Sequence, residues 1–205
     1  MMGKTDTVIF DWGGVLIDNP AQGLVDYCAR HLGVNSKALE EVFGVCLSEF
    51  QKGQVTENKM WRNVARSLGV AGPKVLSLWG DAFRDVYSPK EEMFDLAKKL
   101  GANRYNVGFL SNTEMPPRDL FYEQGYDKIF RSPVFSCVER IAKPDPRIYR
   151  IVASRLGVRL EEAVFIDDSP SYIAGAKSTG MQGILFESPE QVKRELADLG
   201  INLRL

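Results

Sequence analysis

The fold is decided by the stretch Val8-Ile9-Phe10-Asp11-Trp12-Gly13-Gly14-Val15-Leu16. Three apolar residues, two of them β-branched, are typical of a parallel strand that is buried on both faces. The run ends at Asp11, and open α/β sheets bind ligands at the carboxyl ends of their strands. The glycines that follow allow a sharp turn and bring backbone N–H groups close to an anion. The stretch therefore predicts a strand that ends in a ligand-site carboxylate; the alternative is an aspartate that closes a strand before an ordinary glycine turn.

Length and composition limit the class of protein. The 205 residues are 44% hydrophobic and 26% charged, which suits one globular domain or a core with a small subdomain. The net charge of −1 provides no basic surface for nucleic acid or an acidic membrane. No apolar run approaches the roughly 20 residues that span a bilayer. We therefore expect a cytoplasmic protein with no nucleic-acid or membrane partner, and the oligomeric state is left open.

Cysteine and histidine content restricts the chemistry further. The three cysteines are far apart and form no CxxC pair, so neither a zinc site nor a disulfide framework is predicted. His31 is the single histidine, which argues against a histidine-centred triad or a multi-histidine metal site. Acid–base or metal chemistry would therefore depend on carboxylates.

Two kinds of pattern divide the chain. Between Asn19 and Ser88, apolar residues recur at helical spacing in four segments, the last of them predicted over 74–86. The remainder alternates helices with strands, which predicts a parallel sheet with right-handed crossovers. The fold class is therefore α/β: a Rossmann-like, three-layer core over 1–18 and 89–205, with a helical-bundle cap inserted over 19–88. Five aromatic residues are predicted to form the core of that bundle: Phe43, Phe50, Trp61, Trp79 and Phe83.

Polar residues also follow two later apolar runs. Val107–Leu110 ends at Ser111-Asn112-Thr113, and Val164–Ile166 ends at Asp167-Asp168-Ser169. Between them, Lys143 precedes a segment with helical spacing. With Asp11, these four motifs in this order resemble the haloacid dehalogenase-like (HAD) hydrolase superfamily. The position of the 19–88 segment is similar to that of the helical cap in its C1 subclass.

The resemblance implies a set of site residues. Asp11 would be the nucleophile that forms an aspartyl-phosphate, with Ser111 and Lys143 completing the catalytic set. Mg²⁺, which prefers oxygen ligands, would be bound by Asp11, the Gly13 carbonyl and the acidic pair, with Asp168 favoured over Asp167 for the direct contact. The substrate-binding residues would be Trp12, Gly13, Ser111, Asn112 and Lys143.

One position departs from the superfamily pattern. Most of its phosphatases carry a second aspartate two residues after the nucleophile as general acid and base, and Gly13 stands there instead. The Asp-x-Gly-Gly-Val form resembles a branch that includes an α-D-glucose-1-phosphate phosphatase. We therefore predict a Mg²⁺-dependent phosphatase acting on a small, sugar-phosphate-like metabolite. Either its leaving group needs little protonation, or another group stands in for the missing aspartate.

Two alternatives remain open. The protein could bind a phosphorylated ligand and hardly turn it over, as a regulatory protein would. It could also be a 2-haloacid dehalogenase, but Asp167 and Asp168 argue against this, because uncompensated carboxylates repel an anionic haloacid.

Overall fold

The computed structural model describes residues 5–202, apart from the side chain of Val45. Its centre is a parallel five-stranded sheet in the order β3-β2-β1-β4-β5. The strands are β1 (Thr7–Phe10), β2 (Asn106–Ser111), β3 (Arg131–Phe135), β4 (Ala163–Asp167) and β5 (Gln182–Leu185). The strand order places β1 between β2 and β4, and the register sets Phe10 beside Phe109 and Ile166. The carboxyl ends of these three strands therefore meet at one edge of the sheet.

The described part of the chain contains ten α-helices besides this sheet. The first four are α1 (Ala21–Leu32), α2 (Ser36–Gln51), α3 (Glu57–Leu68) and α4 (Leu78–Val86). The other six are α5 (Glu91–Ala102), α6 (Met115–Glu123), α7 (Ser136–Glu139), α8 (Pro146–Leu156), α9 (Pro170–Ser178) and α10 (Pro189–Asp198). Within residues 5–202, none of these helices combines the length and the apolarity that crossing a membrane requires.

Both faces of the sheet are covered, which explains the continuous apolar run of β1. Val8 and Phe10 belong to one buried cluster, together with side chains of α5 and α10. Ile9 points to the opposite face and joins side chains of α8 and α9. Side chains alternate between the faces of a strand, so a strand between two helical layers must be apolar at every position. The predicted three-layer α/β architecture is confirmed.

Helices α1 to α4 pack on one another, and they contact the rest of the molecule where α4 meets α6 and where α2 meets α7. The five aromatic residues predicted for the core of this bundle are each less than 5% exposed. Phe43, Phe50 and Trp61 pack around Trp79, with ring centroids 5.5 to 6.4 Å from the Trp79 ring.

The predicted helix over 74–86 is too long at its start. Helix α4 begins at Leu78, because the Ser77 hydroxyl accepts a hydrogen bond from Gly80 N at 3.0 Å and caps the helix there. Val75 and Leu76 are 42% and 98% exposed, so their apolar spacing does not reflect a buried helical face.

The chain leaves the sheet and returns to it through two paired segments. Asp18 N donates to Ser88 O at 2.9 Å, and Lys90 N donates to Leu16 O at 2.8 Å. Ile17 and Pro89 form an antiparallel bridge between these bonds. The predicted division into a core (1–18 and 89–205) and a cap (19–88) has its boundaries at this pairing, and the cap assignment stays a prediction.

Candidate active site

The strand order brings three of the predicted site residues to one edge of the sheet. Asp11 directly follows β1, Ser111 ends β2 and Asp167 ends β4. Because β2, β1 and β4 are neighbours, residues far apart in sequence become adjacent. This edge is where open α/β sheets place their ligand sites.

The turn after Asp11 depends on Gly14. The Trp12 carbonyl accepts hydrogen bonds from Leu16 N at 2.8 Å and Ile17 N at 3.0 Å, which closes the turn. Gly14 has φ +82°, and a Cβ built there would lie 2.0 Å from Asp168 Oδ2. Glycine therefore lets the turn take a left-handed conformation and approach Asp168 closely.

Gly14→Ala should impair both the fold and the site. The added methyl group must displace the Asp168 carboxylate, and the positive φ adds backbone strain of about 1–3 kcal/mol. We expect at least about a tenfold loss of kcat in a steady-state assay, and a lower free energy of unfolding in urea. Gly180→Ala is the matched control: Gly180 has φ +94°, but no atom lies within 4 Å of the position that a Cβ would take there. If the two variants had equal activity, contact with Asp168 would not be the reason for Gly14.

Lys143 forms ion pairs with two carboxylates, those of Asp11 and Asp167. Its Nζ lies 2.8 Å from Asp11 Oδ1 and 2.6 Å from Asp167 Oδ2, and its side chain is fully buried. The rings of Phe165 and Tyr172 flank the ammonium group, with centroids 5.0 and 4.9 Å from Nζ. Burial lowers the pKa of Lys143, but the two carboxylates outweigh burial and the pKa is raised. The lysine is therefore held in its charged form beside Asp11.

Asn112 holds the backbone of Lys143. Its Oδ1 accepts from Lys143 N at 2.8 Å, and its Nδ2 donates to Lys143 O at 3.0 Å. Nδ2 also lies 3.3 Å from the Tyr172 hydroxyl, and Tyr149 donates to the Tyr172 carbonyl at 2.7 Å. Asn112 and Tyr172 thus position Lys143, a contribution that the sequence did not indicate. A direct contact of Asn112 with phosphate stays a prediction.

The three aspartates form a candidate metal centre. One carboxylate oxygen from each of Asp11, Asp167 and Asp168 lies within 4.8 Å of the other two. Burial raises the pKa of Asp168, and the nearby negative charge of Asp11 raises it further. A hard divalent cation would relieve that repulsion, and carboxylate oxygens are the ligands that Mg²⁺ prefers. The residues therefore fit Mg²⁺.

The acidic pair is not symmetric. Asp167 Oδ2 faces Lys143, and Asp167 Oδ1 accepts from Ser169 N at 2.8 Å, so both of its oxygens have partners. Asp168 instead lines an open cavity above the strand ends. This geometry supports the preference for Asp168 as the direct metal ligand, which stays a prediction, as does the carbonyl of Gly13.

A cavity of about 400 Å³ joins these groups to helices α1, α2 and α4. Nearly all of the predicted site residues line it: Asp11, Trp12, Gly13, Ser111, Asn112, Lys143 and Asp168. Asp167 lies beneath its wall, fully buried. The Trp12 indole packs against Phe83 and Phe109, with ring centroids 5.2 and 5.8 Å apart, so it also forms part of the core. Phe43, Trp79 and Phe83 likewise line the cavity in addition to packing the bundle.

Comparison with known protein families agrees with this arrangement. Residues 5–180 match the profile of the haloacid dehalogenase-like hydrolases. The chain belongs to this family. Its C1 subclass and the glucose-1-phosphatase-like branch, both expected from the sequence, stay predictions.

Two named phosphatases or hydrolases and one solved structure are similar to this chain. This HAD-like hydrolase is 31% identical over 163 residues to the chloroplast flavin mononucleotide hydrolase 1 of Arabidopsis thaliana, covering 76% of the chain and 62% of that protein. It is 26% identical to the sesquiterpene phosphatase AstK of Aspergillus oryzae, covering 86% and 87% of the two chains. A HAD family enzyme from Bacteroides thetaiotaomicron, crystallised as a magnesium complex, has the same fold. Its TM-score is 0.74 at 22% identity, over 89% of this chain and 93% of that one.

Glu114 is a buried acid in this hydrolase that the sequence did not single out. It lines the cavity, is 4% exposed, and accepts a hydrogen bond from Trp79 Nε1 at 3.0 Å. Burial raises the pKa of Glu114 to about 7, with a further contribution from the charge of Glu57, although hydrogen bonds oppose the shift. The position follows a strand end and precedes α6, where an acid usually signals only a helix start. Its burial arises from packing against α4, which no local pattern reveals.

The raised pKa of Glu114 predicts a pH-dependent stability. Between the ordinary value of 4.5 and about 7, the folded protein keeps a proton on Glu114 that the unfolded chain releases. The free energy of unfolding should therefore fall as pH rises through this window, by on the order of 3 kcal/mol, and level off above it. Glu114→Gln should remove this dependence in urea unfolding measured from pH 5 to about 8.

A second variant checks the cause of that dependence. Trp79→Phe removes the donor that lowers the pKa of Glu114, so the fall in stability should extend to higher pH. A difference between wild type and Glu114→Gln that stays constant with pH would contradict the role assigned to burial.

Proposed function

We propose that this protein is a Mg²⁺-dependent phosphomonoesterase that acts on a small phosphorylated metabolite through an aspartyl-phosphate on Asp11. The observation that carries the proposal is the position of Asp11 at the cavity floor, paired with buried Lys143 at 2.8 Å. A nucleophilic carboxylate must meet a dianionic phosphate, so the site needs positive charge and fixed donors at that point.

Residues at the strand ends, together with Lys143, carry out the first chemical step. An Asp11 carboxylate oxygen attacks phosphorus, the P–O bond to the leaving alcohol breaks, and the aspartyl-phosphate forms. Lys143 neutralises charge on Asp11 and the phosphoryl group, and Ser111 donates a hydrogen bond to a phosphoryl oxygen. Asp11 and Asp168 would hold Mg²⁺, which would supply positive charge beside the phosphoryl oxygens.

The second step is hydrolysis of the aspartyl-phosphate. Water attacks phosphorus, the acyl-phosphate bond breaks, and Asp11 and inorganic phosphate are released. Position 13 contributes no proton to either step, because Gly13 has no side chain. The leaving group must therefore depart with little assistance or take its proton from water or another cavity group.

Two observations favour a phosphatase over the alternatives. One relative is named a flavin mononucleotide hydrolase and another a sesquiterpene phosphatase, so related chains act on phosphorylated compounds. The acidic cluster beside Asp11 suits a cation, which carbon–halogen displacement by a carboxylate does not need. The cytoplasmic location expected from the sequence stays a prediction.

Metal removal tests the proposal directly. We expect Mg²⁺-supported release of inorganic phosphate from p-nitrophenyl phosphate, loss of at least about 10²-fold in rate with EDTA, and recovery on adding excess Mg²⁺. Asp168→Asn should raise the Mg²⁺ concentration required for half-maximal rate by at least about tenfold.

The matched control for Asp168→Asn is Asp127→Asn, which changes an exposed carboxylate outside the cavity and should leave the Mg²⁺ requirement unchanged. Release that is insensitive to EDTA would contradict the metal requirement. If no release occurred while inorganic phosphate still raised the melting temperature, the binding-protein alternative would replace this proposal.

A further inference from the structure

The wall of the cavity opposite Asp11 is built mainly from apolar side chains. Helices α1, α2 and α4 supply Leu24, Val25, Phe43, Leu47, Trp79 and Phe83. Val25 and Leu47 are only half-buried, so part of their surface faces the cavity space. A leaving group bound beyond the phosphoryl group would meet these side chains.

Polar groups in this wall are few, and none of them is positively charged. Helices α1 and α2 contribute Gln22, Glu40 and Gln51, and Glu114 lies at the start of α6. Among the described residues that line the cavity, Lys143 is the only cation, and it is paired with Asp11 and Asp167. A second phosphate or a carboxylate on the substrate would therefore find no positive partner and would face the Glu40 carboxylate.

The size of the cavity sets a further limit. About 400 Å³ lies near the lower end of the range for small-molecule pockets, and the phosphoryl group must occupy part of it. Each additional methylene group buried against apolar side chains strengthens binding by about fourfold. A hydroxyl group buried without a partner weakens binding by about tenfold. The wall should therefore bind a compact apolar group more tightly than a polyol.

We infer that the substrate is the monophosphate ester of a small, uncharged and mainly apolar alcohol. This inference rests on the proposed phosphatase function and departs from the sugar-phosphate-like substrate expected from the sequence. On this inference, side chains of α1, α2 and α4 select the substrate. The strand-end residues and Lys143 carry out the phosphoryl chemistry.

The test compares two esters with the same carbon number and the same kind of leaving group. n-Hexyl phosphate and glucitol 6-phosphate are both six-carbon esters of a primary alcohol, but only the second carries hydroxyl groups. We expect kcat/KM for n-hexyl phosphate to be at least about tenfold higher, although the polyol is the slightly better leaving group. n-Hexyl diphosphate should be a poor substrate, since the second phosphate lacks a cationic partner.

Matched variants connect this preference to the wall. Leu47→Gln places an amide in the cavity and should reduce the hexyl-to-glucitol ratio at least about threefold. Leu68→Gln makes the same change at a half-buried residue of α3 that does not line the cavity, and should leave the ratio unchanged.

The possible outcomes distinguish a failure of the substrate inference from a failure of the proposed phosphatase function. Equal or faster release from glucitol 6-phosphate would overturn the inference and leave the phosphatase function intact. An unchanged ratio in Leu47→Gln would also overturn it, because the wall would then not select the substrate. Absence of phosphate release from every ester, with Mg²⁺ present, would overturn the proposed function itself.

Discussion

Asp11→Asn should lower kcat for phosphate release by at least about 10³-fold while leaving the protein folded. The amide has nearly the shape of the carboxylate but is a poor nucleophile, so the aspartyl-phosphate cannot form. Lys143 retains its pairing with Asp167 at 2.6 Å in this variant, so the buried lysine is not left without a partner. The measurement is steady-state phosphate release with saturating Mg²⁺, together with a urea unfolding curve.

Covalent trapping strengthens this test. Mass spectrometry of acid-quenched reactions should find a phosphoryl group on the peptide that contains Asp11 in the wild type and none in Asp11→Asn. Asp119→Asn, at an exposed position of α6, is the matched control and should keep the wild-type rate. Undiminished phosphate release by Asp11→Asn would disprove the nucleophilic role.

Lys143→Ala should produce the largest loss of stability and a loss of activity of at least about 10²-fold. Removing the ammonium leaves Asp11 and Asp167 buried together without a compensating charge, which costs about 3–5 kcal/mol. Burial, and then the charge of Asp11, raise the pKa of Asp167, so protonation of Asp167 should shrink the deficit relative to wild type as pH falls. Urea unfolding at several pH values measures the loss of stability and its pH dependence. Steady-state phosphate release measures the loss of activity.

The control for Lys143→Ala is Lys98→Ala. Lys98 pairs with Asp95 at 3.2 Å on the exposed face of α5, and such pairs contribute less than about 1 kcal/mol. If the two variants unfolded at the same urea concentration, the buried position of Lys143 would not determine its contribution.

The strand-end residues could be predicted from the sequence because their signal is local. Continuous apolar runs before Asp11, Ser111 and Asp167 indicate strands buried on both faces, and parallel strands place their carboxyl ends together. The position of Lys143 was predictable only through the resemblance to a family, since nothing around Lys143 shows that it reaches two strand ends. Its pairing with both Asp11 and Asp167 required coordinates.

Other features arise from packing between distant segments. Glu114 is buried because Trp79, on α4, covers it, and no spacing pattern links these two positions. The start of α4 was predicted too early because Val75 and Leu76 continue the apolar spacing, while the Ser77 cap determines where the helix begins. Phe43 and Trp79 were assigned to the bundle core alone, yet each also faces the cavity, because a small bundle has little interior that is remote from its surface.

The antiparallel pairing of 16–18 with 88–90 makes the intervening helical segment a replaceable module. Its two ends already meet, so a loop of a different length closes there with little change in conformational entropy. Beyond this pairing, the helical segment contacts the rest of the molecule through side chains and helices, such as α4 against α6. Insertions and exchanges over 19–88 can therefore reshape the apolar wall, while Asp11, at the end of β1, and Lys143, before α8, both lie outside the exchanged segment.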